Sequence, residues 1–369
     1  MQLLRSEAGI IMTEEFQPNC YPLLIGSLPL GDHKEALRLV FTYTPDIPLW
    51  VQLPVYKEEG MINQFLPGLP GLKFEKGEFY IDNKSELFDK ELLEFYEEYL
   101  DVTEGRTDIT ESRFALRTGT ATGFFELLKI LQITPDAPEP FVLKGQITGP
   151  VTFCTGIKDV RDMAIFYDER VRDAATKLLA MKAAYQVRQF SSISRQVIIF
   201  IDEPALAGYG SSEFTSISGE EVSTCLEDVI KGVHLEGGIA GVHVCANTDW
   251  SLVLNSSVDI VNFDAYSYFD RFVLYADDIK RFVDRGGIIA WGIIPTFSAD
   301  DIEKESVATL VDKWKDQAGQ LEAIGIDASV IRRQSLITPS CGTGSLSVDL
   351  TEKVLKLTKG VSEVLRNEL

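Results

Sequence analysis

His243 and Cys245 stand two residues apart in the run Gly241-Val242-His243-Val244-Cys245-Ala246-Asn247. In an extended segment, side chains two apart point to the same face, so this imidazole and this thiol can converge on one metal ion. Imidazole with thiolate is a zinc-type donor set. The pair alone decides nothing, because a strand histidine is commonly a satisfied core or rim residue and free cysteine is among the most buried residue types. A metal reading needs further ligands from elsewhere in the chain.

Composition limits what the chain can be. It has 369 residues, 45% hydrophobic and 25% charged, enough for one large domain or a barrel with an extension. A net charge of -21 argues against nucleic acid and anionic membrane as partners, since both require basic patches. The five cysteines, Cys20, Cys154, Cys225, Cys245 and Cys341, are odd in number and scattered, which argues against a disulfide framework. Residues 1–15 carry Arg5, Glu7, Glu14 and Glu15 and do not read as a secretory leader. No apolar run approaches bilayer length, so a cytoplasmic location is expected.

Short apolar runs alternate with amphipathic stretches along the chain. Strands are expected over 21–25, 47–53, 141–147, 197–202, 239–245, 259–263, 288–293 and 334–338. Several are apolar on both faces, as buried parallel strands are. Helices are expected over 85–100, 122–131, 160–190, 219–235, 271–285, 299–323 and 348–365, with Ser218 and Ser298 as N-caps. Eight strands alternating with helices predict an α/β fold, a (β/α)8 TIM barrel forming one domain over 1–369. Residues 1–20 form an N-terminal extension. The stretch from about 55 to 139 is too long for a simple crossover and reads as an insertion after strand two that could cover the barrel mouth.

In such a barrel the chemistry sits where strands end. Strand one ends in Gly26-Ser27-Leu28-Pro29, strand three in Gln146-Ile147-Thr148-Gly149-Pro150 and strand four in Asp202-Glu203-Pro204. Strand five gives His243 and Cys245, strand six Asp264, and strand eight Pro339-Ser340-Cys341-Gly342. His243, Cys245 and Cys341 would make three ligands, with Asp264 able to add a carboxylate oxygen. The bland alternatives are that Cys341 is a small residue in a tight turn and that Asp202 caps a loop.

Ile25-Gly26-Ser27, Gly149-Pro150-Val151-Thr152, Asp202-Glu203-Pro204-Ala205-Leu206, His243-Val244-Cys245 and Cys341-Gly342 together resemble the catalytic barrel of cobalamin-independent methionine synthase. That barrel shares a superfamily with uroporphyrinogen decarboxylase and the corrinoid-dependent thiol methyltransferases. The resemblance runs from about residue 21 to the C-terminus and is faint over 55–139. With no room for the family's N-terminal barrel, the chain resembles a stand-alone core version. The resemblance implies a Zn2+ ion held by His243, Cys245 and Cys341, with Asp264 where the family usually has Glu. It also implies that Asp202 holds the amino group of an amino-acid thiol, and that the backbone of Ile25, Gly26 and Ser27 holds its carboxylate.

A free thiol has a pKa of about 8.5 and is mostly protonated at neutral pH. Zinc coordination deprotonates it and places the sulfur for attack on a methyl group. The implied function is a zinc-dependent thiol methyltransferase, with homocysteine as acceptor. The resemblance weakens at the methyl donor. The family's folate-stacking Trp, following its Gly-Pro-Val-Thr motif, is replaced here by Thr155-Gly156-Ile157. Its folate-contacting Glu is replaced by Gly208, and its histidine acid is absent from Trp291-Gly292-Ile293-Ile294-Pro295-Thr296. These differences point to methylcobalamin on a corrinoid carrier protein as donor. Other readings are transfer to another thiol such as coenzyme M, a decarboxylase-like protein, or a barrel that binds zinc or a corrinoid partner without turnover.

Overall fold

The computed structural model describes residues 16–133, 140–209 and 216–368, so most of the expected N-terminal extension (residues 1–15) lies outside the described residues. The strands are β1 (Tyr21–Pro22), β2 (Leu72–Glu75), β3 (Glu78–Ile81), β4 (Leu143–Thr148), β5 (Val197–Asp202), β6 (Ile239–Val244), β7 (Ile260–Phe263), β8 (Ile288–Ile294) and β9 (Ser335–Pro339). Among the described residues, seven form one curled parallel sheet in the order β1-β9-β8-β7-β6-β5-β4, and β2 and β3 form a separate antiparallel hairpin. The fold is therefore α/β with a parallel half-barrel, compatible with the expected (β/α)8 architecture.

The strand expected over 47–53 is not a ladder strand. It touches the sheet through single parallel bridges, Leu49 to Lys144 on one side and Gln52 to Ser27 on the other. Pro48 lies within it and Pro54 just after it, and neither has an N–H to donate, which leaves gaps in its pairing even though the Pro48 carbonyl accepts from Lys144 N–H (3.0 Å). The β1 ladder is also shorter than expected, and Cys245 falls just past the end of β6.

Both faces of the sheet are buried, and they feed two hydrophobic clusters. Leu23, Ile25, Ile47, Val142, Ile198, Phe200, Ile260, Ile288, Ala290 and Leu336 pack together inside the curl. The alternate residues, such as Val197, Ile199 and Ile201 of β5, pack outward against the helices. This explains the uniformly apolar strand sequences.

Helices start at side-chain caps. Asp168 accepts from Arg170 and Val171 N–H at the start of Glu169–Phe190, and Ser218 with Glu221 forms a capping box at Gly219–Leu235. The helix expected over 299–323 is two, Ala299–Lys304 and Val307–Ala323, because Ser306 caps a new start with Thr309. The helix expected over 271–285 likewise divides, into Ala265–Phe272 and Ala276–Asp284. Only the latter part of 160–190 is one helix, from Glu169.

Within 55–139, the first residues reach the strand ends: the Thr148 hydroxyl donates to the Met61 carbonyl (2.6 Å). Helix Phe88–Thr103 lies instead against Glu169–Phe190, where the Tyr96 hydroxyl donates to Asp173 (2.5 Å). Helix Thr122–Ile133 packs on the 47–53 segment through Trp50 and Phe124, with ring centroids 6.0 Å apart. Among the described residues no helix is long and apolar enough to cross a membrane.

Candidate metal centre

His243 is the last inward-facing residue of β6. It is buried, and its backbone pairs in register with Asp202 of β5 and Asn262 of β7. Asn262 fixes the ring. Its amide nitrogen donates to the Ala290 carbonyl (2.8 Å) and the Thr338 hydroxyl (2.8 Å), so its Oδ1 is the atom that faces His243 Nδ1. An amide oxygen can only accept, so Nδ1 carries a proton and donates to it. The opposite nitrogen, Nε2, is buried and makes no hydrogen bond to any nitrogen or oxygen. This is the arrangement by which a neighbouring acceptor prepares an imidazole to bind a metal.

Cys245 lies two residues on, and Cys341 follows β9. Ligand atoms of His243, Cys245 and Cys341 all lie within 4.8 Å of one another. The Cys341 thiol donates to Cys245, which holds the Cys245 pKa below the ordinary thiol value and pushes that of Cys341 above it. Burial opposes a charge on His243, but its hydrogen bond to Cys245 and the Asp202 carboxylate outweigh this, and its pKa sits above the usual imidazole value. Two sulfurs and an imidazole nitrogen with no nitrogen or oxygen partner fit a zinc-type ion, whose binding would displace these shared protons.

The other expected residues divide. Asp202 ends β5 at the same rim, with Oδ1 buried and unpartnered, and burial raises its pKa to about 6. Asp264 does not join the three clustered ligands. Its Oδ1 caps helix Ala265–Phe272 by accepting from Ser267 N–H (2.9 Å), while Oδ2 is buried and unpartnered. Burial raises its pKa, and the Cys245 charge adds to the rise, so it stands beside the cluster.

Ser27 holds the Cys341 loop. Its carbonyl accepts from Thr343 N–H (2.9 Å) and its hydroxyl from Gly344 N–H (3.2 Å). A Cβ on Gly342 would come within 2.2 Å of the Ser27 hydroxyl, so only glycine lets the loop approach this closely. The Gly26 carbonyl accepts from Gln52 N–H (3.1 Å), and the Ile25 carbonyl accepts from the Lys144 ammonium. Among the described residues, the N–H groups of Ile25, Gly26 and Ser27 donate to no other backbone carbonyl.

Glu203, next to Asp202, is structural. It accepts from the N–H groups of Val151 (2.8 Å) and Thr152 (2.8 Å) and from the Thr152 hydroxyl (2.6 Å), capping helix Pro150–Gly156. Burial lifts its pKa to about 7 despite these bonds.

Lys144 was not singled out in the sequence. It is fully buried inside the curl, and its ammonium lies 4.5 Å from the centre of the Phe200 ring; burial depresses its pKa to about 8 while Asp202 pushes it back up. Asn262 was also missed. The signal for both was a polar residue on the inward register of an otherwise apolar strand.

No protein-family model matches the sequence, and no curated protein matches it. Among solved structures, the chain is similar to a vitamin-B12-independent methionine synthase-like protein of Listeria monocytogenes. The TM-score is 0.52 and the identity 12%, over 96% of this chain and 99% of that one. A B12-independent methionine synthase from Shewanella sp. W3-18-1, in complex with selenomethionine, is similar at a TM-score of 0.45 and 21% identity, over 66% of this chain and 67% of that one. The fold class is thus α/β, similar to the fold of the Listeria protein. At these identities the likeness speaks to fold alone.

Proposed function

We propose that this chain is a zinc-dependent methyltransferase that moves a methyl group onto a thiol, with homocysteine the acceptor and methionine the product. The observation that carries the reading is the convergence of His243, Cys245 and Cys341 at the strand ends, with His243 Nε2 bonded to no nitrogen or oxygen. The reading takes the fold as a closed (β/α)8 barrel, with 47–53 as the eighth strand through its bridges. It places the enzyme in the cytoplasm.

When bound by His243, Cys245 and Cys341, zinc supplies the Lewis acidity that favours an acceptor thiol as thiolate. The free Oδ2 of Asp264 is the fourth ligand in this reading. Asn262 holds the His243 tautomer, and Ser27 holds the loop that carries Cys341. Asp202 Oδ1 accepts from the acceptor's ammonium, and the N–H groups of Gly26 and Ser27 bind its carboxylate. In the transfer a sulfur–carbon bond forms, the bond from methyl to donor breaks, and the thiol proton leaves to solvent.

Methylcobalamin on a corrinoid carrier protein is the donor we favour, because no histidine stands in the stretch after β8 and Gly208 follows the Ala205-Leu206 turn. From methylcobalamin the leaving group is cob(I)alamin rather than a pterin nitrogen that must be protonated, so no such acid is needed. The test is methyl transfer by the zinc-loaded chain to homocysteine, from methylcobalamin and from methyl-tetrahydrofolate in parallel. Methionine formed from methylcobalamin alone supports the whole reading. Formation from the folate alone overturns the donor, and no methionine from either overturns the acceptor.

A further inference from the structure

Gln146 of β4 points into the curl beside the Ile25–Ser27 segment, its backbone level with Phe200 of β5. It is fully buried. Its Nε2 donates to the Trp50 carbonyl (3.0 Å), an atom that can only accept, so the orientation of the carboxamide is determined. Gln186 makes the arrangement rigid, donating from Nε2 to the Gln146 carbonyl (2.9 Å) while its Oε1 accepts from the Trp50 indole (2.8 Å). The opposite end of the carboxamide, Oε1, is buried with no donor. A Cβ built on Gly26 would lie 3.4 Å from the Gln146 Cδ, so this side chain abuts the segment proposed to hold a substrate carboxylate. The buried ammonium of Lys144, two residues earlier, is spent on the Ile25 carbonyl and the Phe200 ring.

Two orphaned acceptors, Gln146 Oε1 and Asp202 Oδ1, therefore stand on inward positions of adjacent strands, Gln146 level with Phe200 and Asp202 one inward step further on, level with Thr148. Buried acceptors without donors are rare in a folded protein and call for a ligand that donates. An ammonium group brings three donors and a positive charge. A thiol with a sulfonate and no amine brings only acceptors. We infer that Gln146 is a second acceptor for the substrate ammonium, so that β4 and β5 together select an α-amino-acid thiol over thiols lacking the amine. This rests on the thiol-acceptor reading above and narrows it. A site built to hydrogen-bond an N–H group rejects an analogue lacking it far more strongly than an apolar pocket rejects a change in size.

The test is calorimetric titration of the zinc-loaded full chain with L-homocysteine and with 4-mercaptobutyrate, which differs only in lacking the amine. The unaltered chain binds L-homocysteine about 100-fold more tightly than 4-mercaptobutyrate, as two charge-assisted hydrogen bonds would give. Gln146→Met weakens L-homocysteine about 10-fold, leaves 4-mercaptobutyrate within about twofold and leaves zinc content unchanged. Unchanged L-homocysteine binding in Gln146→Met, or equal weakening of both thiols, overturns the assignment. Gln146→Glu keeps an acceptor at this position and adds charge. It binds L-homocysteine at least as tightly as the unaltered chain, and weaker binding contradicts the inference even if the Met variant does not fold. Binding of neither thiol by the unaltered chain removes the thiol reading and this inference together. Normal binding there with an unmoved Gln146→Met removes this inference alone.

Discussion

Along β5, Ile198 and Phe200 join the apolar cluster inside the curl, whereas Asp202, two residues further on the same face, carries a buried oxygen with no partner. The change repeats around the sheet. On β7, Ile260 gives way to Asn262 and, just past the strand, to Asp264; around β9, Leu336 gives way to Thr338 and Ser340; β4 turns polar deeper, with Lys144 level with Ile198 and Gln146 level with Phe200. One end of the curl is packed and satisfied, while the other leaves buried polar atoms free at Gln146, Asp202, His243 and Asp264. Unsatisfied buried groups cost stability, so their concentration at one end marks where structure has been yielded to binding.

Substitutions at the two ends should separate cleanly. Phe200→Ala, at the packed end, costs about 3–5 kcal/mol by chemical denaturation while zinc stoichiometry stays unchanged. Zinc loss in this variant would mean that the two ends are not independent. Asn262→Ala, at the polar end, removes the acceptor that holds His243 Nδ1–H, and a competing chelator should reveal about 10- to 100-fold weaker zinc binding.

Asp202→Asn should do the opposite of a core substitution. Burial raises the Asp202 pKa to about 6 from 3.8, so folding takes up a proton and stability falls as pH rises between these values. After metal is stripped by chelation, the Asn variant should be more stable than the parent at pH 8 by about 3 kcal/mol. The advantage should shrink as pH falls through 6 and vanish below the unfolded value of 3.8, where the carboxyl is protonated in both states. A variant less stable at pH 8 would show that the carboxylate is satisfied after all. The smallest effect belongs to the exposed exterior: Arg188→Ala, breaking the ion pair with Glu236, should cost less than about 1 kcal/mol and leave zinc binding alone.

The rim residues were legible in the sequence because each follows an apolar run: Asp202 before Pro204, His243 and Cys245 at the end of β6, Cys341 before Gly342. The roles within the rim were less so. Asp202 and Glu203 are adjacent carboxylates that a strand end turns in opposite directions, one toward the site and one into a helix cap, and no spacing rule tells them apart. Asn262, Lys144 and Gln146 sit within apolar strands where alternation already allows a polar residue, and only the register shows that they face inward. Seven strands were found near their expected positions. The segment 47–53 has strand-like composition, but Pro48 within it and Pro54 after it leave gaps in its pairing, and it meets the sheet through bridges. The helix break at Ser306 could have been read from Ser306 and Thr309, which cap the second helix.

The measurement that bears most directly on the central claim is the zinc content of the full chain and of Cys245→Ser and Cys341→Ser after reconstitution and removal of excess metal. The account predicts one zinc per chain in the parent and a loss of tightly held zinc in each variant, with the fold retained. No zinc taken up by the parent, or full zinc content in either variant, would contradict it.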